Sequence, residues 1–439
     1  MNIILLSGGS GKRLWPLSND VRSKQFIKIF KENNEYISML QRVYGQIKSA
    51  DENAEITIAT GRRQVSAIHN QLSGRVSVCV EPCRRDTFPA IALASSYLHY
   101  EKGVGIDEAV AVCPVDPYVE SAYFEAVKQL TLLAQSGTSR LCLMGVEPTY
   151  PSEKYGYIIP QNKENVSPVQ SFREKPDVEA AKEYISKGAL WNCGVFAFKI
   201  GYLLDIAHKL IDFTDYKDLR EKYETLKKIS FDYAVAEKET DISVLRYSGE
   251  WKDLGTWNTF SEVMSEPSIG KAVLDDKCKN TSVINSTDLP LLCMGCENLI
   301  ITASNDGILV SDKAQSSYIK PYVDRIEEPV RFAEKSWGSY TVIDVLPESM
   351  TVRVTLNKGH MMNYHSHERR DEVWTVVSGK GITIVDGAEK RVGVGDVITM
   401  PAKSRHTIIA ETELRVIEVQ IGKDIDVQDK IKYDIDFRR

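Results

Sequence analysis

A chain of 439 residues, 43% hydrophobic and 26% charged, is too long for one ordinary core and reads as a globular protein of two or three domains. Its net charge of −6 argues against a nucleic-acid partner, which calls for a basic face. No run approaches the ~18 apolar residues of a membrane span, and the N-terminus enters a glycine loop instead of a signal peptide, so a cytoplasmic protein with no membrane partner is expected.

Ile3–Leu6 is a short apolar run, long enough for one buried strand, and glycines follow at once. Gly8, Gly9 and Gly11 let the backbone approach a ligand and turn its N–H groups into a concavity suited to a phosphate chain. Arg13 and Lys24 bring positive charge to the same stretch, as phosphoryl-type chemistry requires. Lys12 is followed by Arg13, where a Walker loop needs Ser or Thr, and Leu14 stands where a dinucleotide fingerprint needs its third glycine. Taken alone, three glycines also suit an ordinary turn after a first strand.

Further along, Ile56–Ala59, Val76–Val80, Ala109–Cys113 and Leu141–Met144 read as strands, and Ile37–Ile47, Pro89–Tyr100 and Tyr123–Ala134 as helices. This alternation predicts an α/β domain with a Rossmann-like mixed sheet over residues 1–265. The first strand feeds the glycine loop and Val110–Cys113 feeds Pro114-Val-Asp116, so both loops are expected at one crevice beyond the strand ends. A lobe from Tyr155 to about Phe198 is left to hold a second substrate.

After residue 266 the pattern changes to short strands with small turns and no convincing helix, over 266–328. The eight cysteines are scattered, mostly in apolar segments, and Cys293-Met-Gly-Cys296 has no second pair, which favours packing over metal binding. From Pro329 to the end (329–439) nearly everything reads as strand and turn, an all-β barrel or double sheet. There Gly359 precedes His365-x-His367, then Glu372 and Gly379, with Gly395, Pro401 and His406 beyond. This spacing resembles both cupin motifs, with Lys403 in place of the usual second-motif glycine. His365 and His367, two apart on a strand, share one face, and Glu372 and His406 complete a set of three histidines and one carboxylate for a transition metal such as Zn, Fe, Mn or Ni. Chance placement is the bland alternative, although three of only seven histidines fall on the pattern.

Gly8-Gly9-x-Gly11-x-Arg13-Leu-Trp-Pro-Leu-Ser, then Lys24-Gln-Phe, resembles the pyrophosphorylase signature of mannose-1-phosphate guanylyltransferases, in the long bacterial form with a C-terminal isomerase-type domain. The resemblance continues through Arg85-Asp-Thr-x-Pro89, Pro114-x-Asp116, Tyr155-Gly156-Tyr-Ile, Phe172-x-Glu174-Lys175-Pro, Trp191-Asn192-x-Gly194, Phe231-Asp232-Tyr-Ala and Trp251-x-Asp253-x-Gly-x-Trp257. It implies a β-helix-like connector over 266–328 and, in the first domain, attack of a sugar 1-phosphate on the α-phosphorus of a nucleoside triphosphate. The favoured pair is GTP and mannose 1-phosphate, giving GDP-mannose for polysaccharide biosynthesis.

Under this resemblance the loop glycines, Arg13 and Lys24 serve the triphosphate, with Arg85 at the nucleotide. Asp116 and Asp253 hold Mg²⁺, while Gly156, Glu174, Lys175 and Asn192 meet the sugar phosphate. Two departures border the sugar and metal: Pro114-Val-Asp116-Pro117 replaces the usual Pro-Ala-Asp-His, and Cys193 and Val195 replace Ser and Met. They leave open another base or sugar. In bifunctional relatives the cupin isomerises mannose 6-phosphate, marked by a run like Gln-x-His-His-His-Arg-x-Glu-His-Trp; here Asn363–Trp374 is two residues longer and lacks the middle and last histidines. Isomerase activity and a ligand-sensing cupin therefore both stay open. So does oligomeric state, a homo-oligomer included.

Overall fold

Ile3, Ile4 and Leu5 expose no surface, because the strand that carries them, Asn2–Ser7, runs inside a mixed sheet. The computed structural model describes residues 1–9, 12–19, 21–326, 330–423, 425 and 429–433. It forms two units: Met1–Ser10, Ser23–Val65 and Gly74–Ser265 make one, and Gly11–Arg22, Ser66–Ser73 and Glu266–Arg439 the other. Among the described residues, no helix is long and apolar enough to cross a membrane.

In the first unit the sheet order is Ser77–Glu81, Glu55–Gly61, Asn2–Ser7, Ala109–Pro114, Leu190–Lys199, Leu141–Val146, Ile242–Tyr247, Val166–Arg173 and Tyr157–Pro160. Asn2–Ser7 is parallel to both its neighbours, whereas Leu190–Lys199 is antiparallel to its own. The five strands expected before residue 147 are all present. The helix Met39–Ala50 starts two residues later than expected because Ser38 caps it: Ser38 Oγ accepts from the Gln41 N–H at 3.2 Å and Gln41 Oε1 accepts from the Ser38 N–H at 3.1 Å. The expected Pro89–Tyr100 helix is Thr87–Ser96 followed by a wider turn, Tyr97–Glu101. Residues 88–96 are buried all round, so this helix forms the middle of the core instead of covering it.

In the second unit, Ser268–Gly270, Ser282–Asn285 and Leu299–Ser304 stack in parallel, and Ala272–Leu274 stacks on Leu291–Cys293, as the coils of a short β-helix. Gly307–Asp312 then returns antiparallel to Leu299–Ser304. Contrary to expectation this region does contain helical turns, Gln315–Tyr318 and Lys320–Val323. All eight cysteines are free; Cys278 Sγ donates to the Cys293 carbonyl at 3.5 Å and Cys293 packs in the small coil core. The N-terminal segment of this unit is tied to the same coils. Lys12 Nζ lies 2.9 Å from Asp324, Asn19 donates to Asp306 at 2.8 Å, and a Cβ on Gly307 would collide with the Trp15 ring. Trp15 is therefore a packing residue.

From Phe332 the chain forms two sheets. One has the order Phe332–Lys335, Gly338–Leu346, Ser349–Leu356, Leu414–Gly422, Arg370–Ser378 and Val397–Met400. The other runs Ala388–Gly393, Lys380–Val385, His406–Ala410, His365–Ser366 and Ile431–Lys432. Val352, Val354, Leu356, Trp374 and Val416 pack between them, the inner row of a β-barrel.

Candidate functional sites

The glycine loop rests on a buried polar network. Gln25 Nε2 donates to Ser7 Oγ at 2.9 Å and Thr60 Oγ1 to Gln64 Oε1 at 2.7 Å, so the end of the first strand is pinned. Gly8 and Gly9 are exposed with nothing within 4 Å of a Cβ, and Gly9 has φ +121°, a conformation suited to glycine. The Gly9 carbonyl accepts from Ser23 Oγ at 3.2 Å and Arg84 Nη2 at 2.9 Å. Arg85 and its neighbour Arg84 point to different partners. The Arg85 guanidinium donates to the Glu224 carbonyl, and Arg84 is the one that reaches the glycine loop. Gly11 lies outside the described residues, and Arg13 is an exposed residue of the turn Lys12–Leu14, in the segment grouped with the second unit.

Lys24, Asp116 and Asp253 come together through a two-stranded ribbon. Pro117–Val119 pairs antiparallel with Trp251–Asp253, with Pro117 opposite Asp253, which sets the two aspartates side by side. Lys24 Nζ lies 2.8 Å from Asp116 Oδ2 and 3.7 Å from Asp253 Oδ1 and donates to the Leu254 carbonyl at 3.3 Å. Desolvation pushes the Asp116 carboxyl up, but Lys24 outweighs it and holds the group below its ordinary value. Two carboxylates that already share a cation are the hard-oxygen donors an ion such as Mg²⁺ takes.

Asp116 and Asp253 line a cavity of about 220 Å³ whose remaining wall includes Gly156, Glu174, Asn192, Asp232 and Trp251. Glu174 is nearly buried: Oε1 is 2.5 Å from Lys175 Nζ, and Oε2 has no hydrogen-bond partner. Lys175 itself has φ +46°, an uncommon conformation for a residue with a Cβ, and half of its side chain is exposed. The strand Leu190–Lys199 is irregular between Asn192 and Phe196, and the break turns Asn192 towards the cavity. Asn192 Nδ2 donates to Asp232 Oδ1 at 2.7 Å, while its Oδ1 accepts from the Gly194 N–H at 3.0 Å. Burial first, and Glu174 second, push the Asp232 carboxyl up to about 6. Asp232 escaped the residue-by-residue reading, although the Phe231–Ala234 motif carried the signal. Cys193 turns its thiol to the Met144 carbonyl at 3.1 Å.

The second site lies inside the barrel. His365, His367, Glu372 and His406 are buried, with one ligand atom from each within 4.8 Å of all the others. The histidine tautomers follow from the backbone: Nδ1 of His365 faces the Asn363 carbonyl at 2.6 Å, that of His406 faces the Ser404 carbonyl at 2.9 Å, and that of His367 faces the Asp429 carbonyl. A carbonyl only accepts, so each Nδ1 carries the proton and each Nε2 turns a lone pair inward. Glu372 Oε2 and His406 Nε2 lie 3.2 Å apart, yet both are buried without a hydrogen bond. Arg370 donates through Nε to Glu372 Oε1 at 3.1 Å and places Nη2 3.2 Å from His367 Nε2, while the unpartnered Glu372 Oε2 and His406 Nε2 converge as for a metal ion, and an N₃O set suits a transition metal. Burial lowers the His365 pKa, which keeps that ring neutral as a ligand must be. Arg370, Glu418, Gln420 and Lys430, none of them singled out from sequence, line the adjoining cavity of about 610 Å³.

The nucleotidyl transferase family matches residues 2–268 and the cupin domain family matches 352–420. Over 99% of its length the chain is 29% identical to a xanthan biosynthesis protein, XanB, of Xanthomonas campestris pv. campestris (strain B100), of which it covers 98%. It is 27% identical to the mannose-1-phosphate guanylyltransferase of Escherichia coli K12, over 98% of this chain and 97% of that one. A solved structure titled mannose-1-phosphate geranyltransferase, from Thermus thermophilus, superposes on 74% of this chain and 99% of its own at 28% identity and a TM-score of 0.62. The paired aspartates around Lys24, the glycine loop at the end of the first strand and the match over residues 2–268 converge: this chain belongs to the nucleotidyl transferase family.

Proposed function

We propose that the first unit joins GTP to mannose 1-phosphate, forming GDP-mannose and releasing pyrophosphate. The observation that carries this reading is one cavity with Asp116 and Asp253 on one side and Glu174, Asn192 and Asp232 on the other. The full-length likeness to a mannose-1-phosphate guanylyltransferase supports the choice of base and sugar. Two anions must meet in line, so the protein's task is positioning and charge neutralisation. Glu174 and Asp232 accept from sugar hydroxyls, and Lys175, exposed beside Glu174, pairs with the sugar phosphate. Lys24 neutralises charge at the α-phosphate, and the amides of Gly8 and Gly9 face the phosphate chain. Arg13 is assigned to the departing pyrophosphate on its motif. Asp116 and Asp253 would hold Mg²⁺, which supplies electrostatic screening between the two substrates. A panel of nucleoside triphosphates against sugar 1-phosphates, read by pyrophosphate release, tests the reading. A clear preference for another pair would keep the reaction class and replace the substrates.

A specific observation favours a second activity in the cupin domain. A metal-ready cluster opens onto a cavity of about 610 Å³ lined by Lys335, Arg369, Arg370 and Lys430, a volume and charge suited to a sugar phosphate. The second activity is therefore isomerisation of mannose 6-phosphate, which supplies the six-carbon precursor of the first unit's substrate. A coupled assay between fructose 6-phosphate and mannose 6-phosphate tests it, and no interconversion by the metal-loaded protein would remove it.

A further inference from the structure

The inner face of the barrel carries a second acid that the metal cluster does not use. Along Leu414–Gly422, two-residue alternation turns Leu414, Val416, Glu418 and Gln420 inward, so the row changes from apolar to polar at Glu418. In the ladder Glu418 lies opposite Trp374, and Gln420 lies opposite the cluster residue Glu372. Glu418 is 7% exposed, a placement that penalises a carboxylate unless something holds it there. Gln420 Nε2 donates to Glu418 Oε1, and Lys430 lines the same cavity. The Gln420 Oε1 atom is buried with no partner, an acceptor left for a ligand hydroxyl.

An aldose–ketose isomerisation needs a group that removes a proton from carbon and gives it back. The three histidines are committed, Nδ1 to carbonyls and Nε2 to the cluster, and Glu372 belongs to the cluster. Of the acids lining the cavity among the described residues, Glu418 is the one left over.

We propose that Glu418 is the proton-carrying catalytic residue of the cupin domain and that Lys430 relays the hydroxyl proton. The proposal rests on the isomerase reading above. In the open-chain aldose, the Glu418 carboxylate takes the C2 proton; the C2–H electron pair becomes the C1–C2 double bond, and the C1 carbonyl pair moves to O1, which takes a proton from Lys430. Lys430 then recovers a proton from O2 as the C2 carbonyl forms, and the double-bond pair takes the proton from Glu418 at C1. Both residues end as they began, with no oxidant or reductant consumed.

The test uses the full chain loaded with Mn²⁺, mannose 6-phosphate as the probe, and Glu418→Gln beside Glu418→Asp. Turnover, deuterium uptake into fructose 6-phosphate in D₂O by NMR, metal content, sugar-phosphate binding by calorimetry and pyrophosphate release by the first unit are all read. Glu418→Gln is expected to lose about 10²–10⁴-fold in kcat together with deuterium uptake, with KM, metal content and pyrophosphate release unchanged, and Glu418→Asp to recover part of the loss. If Glu418→Gln does not fold, Glu418→Asp decides alone: a drop in kcat at constant KM supports the assignment and an unchanged kcat overturns it. A Glu418→Gln protein within tenfold of wild type, or one that has lost its metal, overturns the assignment and leaves the isomerase reading standing. A wild type that neither binds nor converts mannose 6-phosphate removes both the assignment and the reading it rests on.

Discussion

A Cβ on Gly156 would lie 2.5 Å from Glu174 Oε2. The glycine is therefore needed to seat the carboxylate, since Phe172 Cζ at 2.9 Å closes the other side. Gly156→Ala must move Glu174 or Phe172, at a cost of about 1–3 kcal/mol for overpacking. If Glu174 holds the sugar, kcat/KM for the sugar phosphate falls by about tenfold or more, while the KM for the triphosphate is unchanged. Steady-state kinetics with each substrate varied in turn check the split.

Asp116→Asn and Asp253→Asn each remove a charge from the ribbon that pairs Pro117 with Asp253. Each variant is expected to keep its fold by circular dichroism and to lose about two decades or more of turnover at saturating Mg²⁺. Near-native rates in both would end the assignment of this pair to the metal.

The two lysines are expected to separate by substrate. Lys175→Ala raises the KM for the sugar phosphate. Lys24→Ala, like Arg13→Ala, lowers kcat, because its charge matters most as negative charge builds in the transition state. The reverse pattern would exchange the two sides of the cleft.

Asp232 makes stability depend on pH. Its carboxyl is raised from 3.8 to about 6 by burial and by Glu174, so between those values the folded chain binds more protons than the unfolded one. This group's contribution to stability falls as pH rises from about 4 to 6 and stays at its lowest above. Asp232→Asn, which keeps an oxygen for Asn192 Nδ2, is expected to raise the melting temperature at pH 7–8 by roughly 2–4 °C per kcal/mol and to show little gain near pH 4. Thermal scans across this range decide it.

The barrel cluster is expected to hold one transition-metal ion per chain after chelation and reloading. The His365→Ala, His367→Ala double variant removes two of the four donors and should leave little metal by elemental analysis. Retention should fall steeply at acidic pH, since protons compete for Nε2 of each ring.

Much of this protein follows from local rules. A run such as Ile3–Leu6 before glycines must be a buried strand opening into a loop, and the two-residue period makes His365 and His367 share a face before any fold is known. The choice between neighbours needed the tertiary structure. Arg84 and Arg85 are equivalent on paper, and only the path of the chain past Glu224 commits Arg85 and leaves Arg84 for Gly9. Asp232 joined the cavity wall because packing brings it to Asn192 from 40 residues away, and Glu418 came to share a cavity with Lys430 and Glu372 because Leu414–Gly422 pairs with Arg370–Ser378. Periodicity and spacing act over a few residues and are written in the chain. Burial, charge pairing and the pKa values they shift depend on which distant segments share a core, and the tertiary structure decided those.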